Sequence, residues 1–360
     1  MKELLTGNEV VVRAALAAGA QAFFGYPITP ATEVMSEWDK FYEKDSASTK
    51  APKDKLIFLQ TEDEMSAGFA TVGAVLMGKK AFTATGGPGN ILVQDTLAMA
   101  EAMSIPIVTI IGQRGGPSTG SVIYSQQEVT LTAFGGNGEG YRIVYSPENI
   151  QELYDYTIKC FDTAWKYMIP TFLLADGYTL KTKTNVELYK PKNLVPSFPM
   201  MLKSEKRDNK KESSYVNMRN TFSTEEQCFN LNQELIKKWE IIKKEVVEHE
   251  SFSYDTKSKK DTLIIAHGIV ASSVKQALHD TKKKSVKLFR PITINPFPTE
   301  ALKKELKGIK QIIVTESAQN QLLKIVKENL YGCNIPIKTY NRPALGITPD
   351  EIINLIKNNK

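Results

Sequence analysis

Short apolar runs recur along this chain, and most alternate with stretches of helical length. Runs at 22–24, 56–59, 81–85, 105–112, 142–145 and 170–175 have the length of buried strands. Stretches 6–18, 31–41, 62–77, 91–103 and 147–168 lie before or between them and carry helix punctuation, such as Thr6 or Asn8 as a cap for the first and Gly19 after it. Strands separated by helices pair in parallel, and their helices cover both faces of the sheet. The pattern returns after residue 258. Strand runs at 262–266, 285–289, 311–314 and 335–339 alternate there with helical stretches at 271–279, 299–306, 320–329 and 349–358. The expected fold class is therefore α/β, with two doubly wound domains, at 1–189 and a smaller one at 258–360. Between them, 190–257 reads as a proline-containing and then charged linker. It carries one helix at 224–248, whose thin apolar stripe is Phe229, Leu231, Leu235, Trp239 and Ile242.

Hydrophobic residues make up 42% of the chain and charged residues 24%, the balance of an ordinary globular protein. No apolar run is long enough to cross a membrane, and the first eight residues have no signal-peptide pattern. Cys160, Cys228 and Cys333 are far apart and form no CxxC pair, which argues against disulfides, a zinc site or a self-contained iron–sulfur cluster. A cytoplasmic location is expected. The formal charge of +6 is concentrated in lysine-rich stretches at 203–211, 237–244 and 257–284, read as solvated faces and linkers. No nucleic-acid-binding motif accompanies them, so neither a nucleic acid nor a membrane is an expected partner.

Four junctions between strand and helix could carry chemistry. Residues 25–30, Gly-Tyr-Pro-Ile-Thr-Pro, make a stiff corner in which Thr29 can cap the next helix with Pro30 in its first turn, or offer its hydroxyl to an anion. Residues 60–64, Gln-Thr-Glu-Asp-Glu, put three acids at a helix start. They serve as dipole complements, unless the small residues that follow bury Glu64. Residues 86–90, Gly-Gly-Pro-Gly-Asn, match neither GxGxxG nor a Walker A loop, and their glycines admit a close neighbour or a flat ring. Arg114 opens a Gly- and Ser-rich loop and suits two-point binding of a carboxylate. His249, His267 and His279 lie outside the first domain and form no catalytic set; His267 reads as a core or turn residue. Ala175-Asp176-Gly177 lacks the leading glycine and the following asparagine of a Mg-diphosphate motif.

Taken in order, Gly-Tyr-Pro-Ile-Thr-Pro, Gln-Thr-Glu-Asp-Glu, Thr-Ala-Thr-Gly-Gly-Pro-Gly (83–89) and Gln-Arg-Gly-Gly-Pro-Ser-Thr-Gly (113–120) resemble the alpha subunit of the 2-oxoacid:ferredoxin oxidoreductases, most nearly the 2-oxoglutarate type. Phe-Arg-Pro-Ile-Thr (289–293) and Asn-Pro-Phe-Pro (295–298) extend the likeness into the second domain. The resemblance implies a pyrimidine-side domain for thiamine diphosphate followed by a transketolase C-terminal-like domain. It implies a beta subunit that supplies the diphosphate and Mg side and an iron–sulfur cluster, with gamma and delta subunits as further candidates and ferredoxin as electron acceptor. Glu64 would hydrogen-bond N1′ of the aminopyrimidine, with Glu62 as its rival. Thr29 and Arg114 would bind the substrate 1-carboxylate, and Pro27, Ile28, Thr85, Gly86 and Gly87 would line the cofactor. The implied activity is coenzyme A-dependent oxidative decarboxylation of a 2-oxoacid.

Two departures from the family pattern bear on the substrate. Gln126-Gln127-Glu128 stands where Gln-Ser-Asp is usual, and 135–139 replaces a histidine-containing turn. Both fall where the substrate side chain is expected to be chosen, so branched-chain 2-oxoacids, pyruvate and aryl 2-oxoacids stay open beside 2-oxoglutarate. A non-catalytic assembly subunit and an independent dinucleotide-binding enzyme are the other classes. The first is disfavoured by Thr29, Glu64 and Arg114 occurring together, the second by the failed GxGxxG.

Overall fold

The computed structural model describes residues 2–49, 51, 55–207 and 210–358, without the side chains of 203–214. Strand β1 (Lys2–Thr6) leads into helix α1 (Gly7–Ala17). Thr6 and Glu9 form a capping box that satisfies two backbone donors reciprocally, so Thr6 rather than Asn8 starts the helix. Then come β2 (Ala22–Gly25), α2 (Thr32–Ser46), β3 (Ile57–Gln60), α3 (Glu64–Leu76) and β4 (Ala81–Thr85). They are followed by α4 (Pro88–Leu92), α5 (Gln94–Ala102), β5 (Val108–Gln113) and α6 (Val129–Phe134). The first domain closes with β6 (Ile143–Tyr145), α7 (Ile150–Tyr167), β7 (Thr171–Asp176), α8 (Gly177–Lys181) and β8 (Lys183–Glu187), which pairs antiparallel with β1. Asn149 caps α7, so that helix begins after Pro147 and not on it. Helix α2 runs to Ser46, beyond the expected end at 41; residues 50 and 52–54 lie outside the described residues.

An antiparallel pair, β9 (Leu202–Arg207) and β10 (Lys210–Tyr215), precedes α9 (Glu225–Glu245) in the segment read as a linker. The lysine side chains of 203–211 lie outside the described residues. Helix α9 is pinned through buried Leu235 and Ile242, whereas Phe229 is largely exposed. Lys238 Nζ also donates to the Met168 carbonyl at the end of α7 (2.6 Å), and burial pushes its pKa down to about 8. The second domain contains β11 (His249–Phe252), β12 (Thr262–Ile265), α10 (Gly268–Thr281), β13 (Val286–Pro291), β14 (Thr293–Asn295) and α11 (Thr299–Glu305). It ends with β15 (Gln311–Glu316), α12 (Gln321–Asn329), β16 (Ile337–Asn341) and α13 (Pro349–Asn358).

The first sheet has the order β14-β6-β7-β5-β4-β2-β3, parallel except for β14. The second has the order β11-β13-β12-β15-β16, parallel except for β11. The two doubly wound sheets match the expected class. Long-range pairing adds what periodicity did not show: β14 leaves the second domain to form an edge of the first sheet, and β11 forms an edge of the second. The core on one face of the first sheet is aromatic, with Phe23 and Phe82 rings 4.9 Å apart and Trp38 and Phe82 5.3 Å apart. Strand β3 reads as buried but is an edge strand with Ile57 and Leu59 largely exposed.

From β2 the chain goes outward to β3, then returns past β2 to β4 and continues in the other direction to β5. Neighbours β2 and β4 thus form a topological switch point. Open α/β sheets bind ligands outside the carboxyl ends of such strands. Residues 25–30 follow β2, Glu64 follows β3, 86–90 follow β4 and Arg114 follows β5, so all four candidate junctions lie at one end of the sheet.

Candidate active site at the carboxyl edge of the first sheet

The corner after β2 is held from behind. Asn8 Nδ2 on α1 donates to the Pro30 carbonyl (2.9 Å) and to Glu33 on α2 (3.1 Å). The Ala31 amide donates to the Ile28 carbonyl (2.9 Å), which makes 28–31 a turn. Thr29 is therefore not a helix cap: α2 starts at Thr32, with Ala31 before it. The Asn8 contacts and the 28–31 turn separate Thr29 from the helix. Pro27, Ile28 and Thr29 stay half-buried on the open side of the corner.

The acids after β3 divide by position. Asp63 is the cap of α3 and accepts from the Ser66 amide (2.6 Å). Glu62 is exposed, and Glu64, first in the helix, is buried. Close packing of Gly- and Ala-rich α3 makes that burial possible, as the small residues in the sequence indicated. Burial pushes the Glu64 pKa upward, and among the described residues no other side chain donates to its carboxyl group.

The turn after β4 comes so close to its neighbours that a Cβ has no room. One added at Gly86 would overlap the Gly112 carbonyl, one at Gly87 would overlap Arg114 Nε, and one at Gly89 would overlap both Thr85 Oγ1 and Glu64 Oε1. Gly87 also has φ +57°, which favours glycine. The turn brings Thr85, Glu64 and Arg114 together although they come from three different strand ends. Thr85 Oγ1 and Arg114 Nε are buried and have no hydrogen-bond partner among the described residues. Buried polar atoms are nearly always paired, so two orphans beside a buried carboxyl group that accepts from no other side chain mark a place able to receive polar atoms from elsewhere. The donor set suits an aminopyrimidine ring, which presents both ring nitrogens and an amino group.

Arg114 is buried and its Nη1 donates to the Thr29 carbonyl (2.7 Å). The Thr29 main chain is thus the contact, and its hydroxyl is free of that bond. The loop that Arg114 opens folds on itself. The Ser121 amide donates to the Gly115 carbonyl (2.8 Å), and Gly120, at φ +48°, has no room for a Cβ against Gly115. This is the tight loop that its glycines lead one to expect.

Sequence reasoning singled out Glu128 only as part of a departure from the family pattern and did not see the bonds it makes. It is buried just before α6, and its Oε1 accepts from the Gly87 amide (2.8 Å) and the Arg114 amide (2.9 Å). Oε2 accepts from Asn90 Nδ2 (2.9 Å). Burial pushes its pKa upward; the three donors and the Arg114 charge oppose that. The available signal is an acid directly before a largely apolar hexamer that forms α6. Its neighbours are equally committed. Gln127 Oε1 accepts from the Gly116 amide (3.1 Å), and Gln126 bonds the His267 carbonyl (3.0 Å) and the Ser317 amide (3.1 Å). These side chains, expected to select among substrates, are spent on internal bonds.

Asp176, set aside as a metal ligand, is a latch between the domains. It accepts from Gln113 Nε2 (3.1 Å) and from the Ile269 amide at the start of α10 (2.7 Å), and burial pushes its pKa up to about 7. His267 is fully buried with Nδ1 2.9 Å from Ser146 Oγ, and its pKa is pushed down to about 3 by burial and by the Arg290 charge. Among the described residues no group of three or more His, Cys, Asp or Glu is arranged to hold a metal, and none of the helices is long and apolar enough to cross a membrane. The three cysteines are free.

The family described as pyruvate flavodoxin/ferredoxin oxidoreductase, thiamine diphosphate-binding, matches residues 13–251, and pyruvate:ferredoxin oxidoreductase core domain II matches residues 260–347. The chain belongs to this family of thiamine diphosphate-dependent 2-oxoacid:ferredoxin oxidoreductase subunits. It is 30% identical to the 2-oxoglutarate synthase subunit KorA of Methanocaldococcus jannaschii, over 89% of each chain. It is 27% identical to the ketoisovalerate oxidoreductase subunit VorB of Methanothermobacter marburgensis, over 90% of this chain and 89% of that one. Among solved structures it is similar in fold to a 2-oxoglutarate:ferredoxin oxidoreductase from Magnetococcus marinus, with a TM-score of 0.83 at 24% identity. That likeness covers 99% of this chain and 65% of the longer solved chain. The first family match runs through most of 190–257, the segment that the sequence motifs left out.

Proposed function

We propose that this chain is the alpha-type subunit of a coenzyme A-dependent 2-oxoacid:ferredoxin oxidoreductase, with 2-oxoglutarate favoured and branched-chain 2-oxoacids or pyruvate as the alternative substrates. The observation that carries the reading is the gathering around the 86–89 turn of two unpaired polar atoms, Thr85 Oγ1 and Arg114 Nε, and the buried Glu64 carboxyl group. Thiamine diphosphate, when bound, supplies the nucleophilic carbon and the electron sink for decarboxylation. Glu64 holds a proton at ring nitrogen N1′; its raised pKa gives it the proton affinity to do so. Thr85 and the backbone of Gly86 and Gly87 face the ring, and Pro27 and Ile28 shield it from the corner side. Arg114 and Thr29 receive the 1-carboxylate that every 2-oxoacid carries. The 2-oxoglutarate preference is supported by the 30% identical relative, and the branched-chain alternative by the ketoisovalerate enzyme subunit at 27%.

The site is open toward a partner. Met65 and Phe69 lie one turn apart on α3 and are exposed, as are Ile91 and Leu92 on α4 and Leu59 on the edge strand. Exposed apolar side chains on the elements that carry the site support a beta subunit seated there, bringing the diphosphate and Mg side and an iron–sulfur cluster. The test is calorimetry on the isolated chain and on the assembled complex, followed by coenzyme A-dependent ferredoxin reduction with 2-oxoglutarate, 2-oxoisovalerate and pyruvate. Binding and turnover are expected from the complex alone. Micromolar Mg-dependent binding of thiamine diphosphate by the isolated chain overturns the shared site, and a complex inert toward all three acids overturns the activity.

A further inference from the structure

Strands β4 and β5 pair in parallel as far as Thr85 and Ile111, and beyond that pair the ladder stops. Gly87 and Arg114 lie past its end, where their amides need another acceptor. Glu128 Oε1 accepts both, at 2.8 and 2.9 Å, and Oε2 accepts from Asn90 Nδ2 on α4. One buried carboxylate thus replaces the missing ladder and ties together the glycine turn, the arginine and α4. The segment that carries it is bonded to the second domain. Ser125 Oγ donates to the Ser317 carbonyl (2.9 Å), Gln126 spans Ser317 and His267, and the Thr130 amide donates to Gln321 Oε1 on α12 (2.9 Å).

We infer that Glu128 is a positioning residue, whose carboxylate sets the spacing between the Arg114 main chain and the 86–89 turn so that substrate and cofactor are held in one register. This rests on the reading that Arg114 receives the substrate carboxylate. A carboxylate suits the task because one oxygen can accept two converging N–H groups while the other accepts a third. Glutamine keeps the shape but turns one acceptor into a donor, facing the Asn90 amide. Aspartate keeps both acceptors but is one methylene short.

The experiment uses the assembled complex with Glu128→Gln, Glu128→Asp and Arg114→Ala, and the double variant Arg114→Ala/Glu128→Gln. Two quantities are read: KM for 2-oxoglutarate, and hydrogen–deuterium exchange at the Gly87 and Arg114 amides. Glu128→Gln is expected to raise KM about tenfold, the scale of one charge-assisted hydrogen bond, with a smaller change in kcat. Both amides exchange faster in that variant while 108–111 is unchanged, and Glu128→Asp recovers part of each effect. In the double variant KM rises no further than in Arg114→Ala, because the two residues act as one unit. A KM within about twofold of wild type in Glu128→Gln, unchanged exchange at the two amides, or additive penalties overturns the inference. If Arg114→Ala leaves KM unchanged while Glu128→Gln frees both amides, the carboxylate-binding reading of Arg114 fails and the structural tie stands apart from it.

Discussion

Arg114 Nη1 donates a 2.7 Å hydrogen bond to the backbone carbonyl of Thr29, joining the ends of β5 and β2 across 85 residues of sequence. The bond uses one end of the guanidinium and leaves Nε buried without a partner among the described residues. It also shows how the two residues share work, since the Thr29 carbonyl orients the arginine while the Thr29 hydroxyl takes no part in that bond.

Arg114→Ala is therefore expected to lower kcat/KM by about 10–150-fold, the equivalent of one charged hydrogen bond at about 1.5–3 kcal/mol. Thr29→Val keeps the carbonyl and removes only a neutral hydroxyl, so its cost is about 1 kcal/mol. The losses are expected to be similar for pyruvate, 2-oxoisovalerate and 2-oxoglutarate, which share the 1-carboxylate. A steady-state panel over the three acids checks this; a loss confined to 2-oxoglutarate assigns Arg114 to the distal carboxylate instead.

Glu64→Gln keeps the side-chain shape and removes the titrating group. It is expected to lower kcat of the complex by about 100-fold or more, the usual scale for a proton-transfer participant. Glu62 is exposed and outside the helix, so Glu62→Gln is expected to leave kcat within about twofold. Side-by-side turnover measurements decide, and a reversal of the two effects moves the proton-holding role to Glu62.

Gly89 sits where a Cβ would overlap Thr85 Oγ1 and Glu64 Oε1 together. Gly89→Ala must push one of them aside. Overpacking of this kind costs about 1–3 kcal/mol, so the chain is expected to fold with a lowered Tm. Affinity of the complex for thiamine diphosphate is expected to fall with it, because the two groups displaced are those that face the ring. Calorimetric titration with a melting curve reads both.

The Asp176 latch carries a pH signature. Its ordinary pKa of 3.8 rises to about 7 in the fold, so the folded state holds a proton that the unfolded chain releases between those values. Stability from this group falls as pH rises through that window, and the cost, at most about 4 kcal/mol, is fully present above about pH 7. Asp176→Asn removes the titration, and Gln113, whose Oε1 has no partner among the described residues, can turn its amide to meet the new donor. The variant is expected to gain on wild type as pH rises from about 4 to about 7 in denaturant unfolding of the complex. His267, with its pKa lowered to about 3, contributes stability that is lost as pH falls below 6.5. That term is common to both proteins and cancels in the comparison; a difference independent of pH means that Asp176 does not titrate in this window.

The sequence by itself determined whatever depends on neighbours in the chain. The alternation of apolar runs and helical stretches set the two parallel sheets, and β4 spans the expected residues 81–85. Thr6 or Asn8 marked the first cap without deciding between them, and the glycines at 86, 87 and 89 marked a close approach. The small residues after Glu64 pointed to its burial. These are periodicity, capping and steric properties, each read within a few residues. Only the tertiary structure decided what depends on groups distant in sequence meeting. The departure of β14 to the first sheet, the exposure of β3 at its edge and the Asp176 bond to α10 have no local signal. Gln126 and Glu128 were legible as polar residues near the site, but the 3.0 Å bond to His267 and the 2.9 Å bond to Arg114 that give them structural work span 141 and 14 residues. A buried polar group must find a partner wherever the fold brings one, and that choice is made by packing, after the local pattern has already been set.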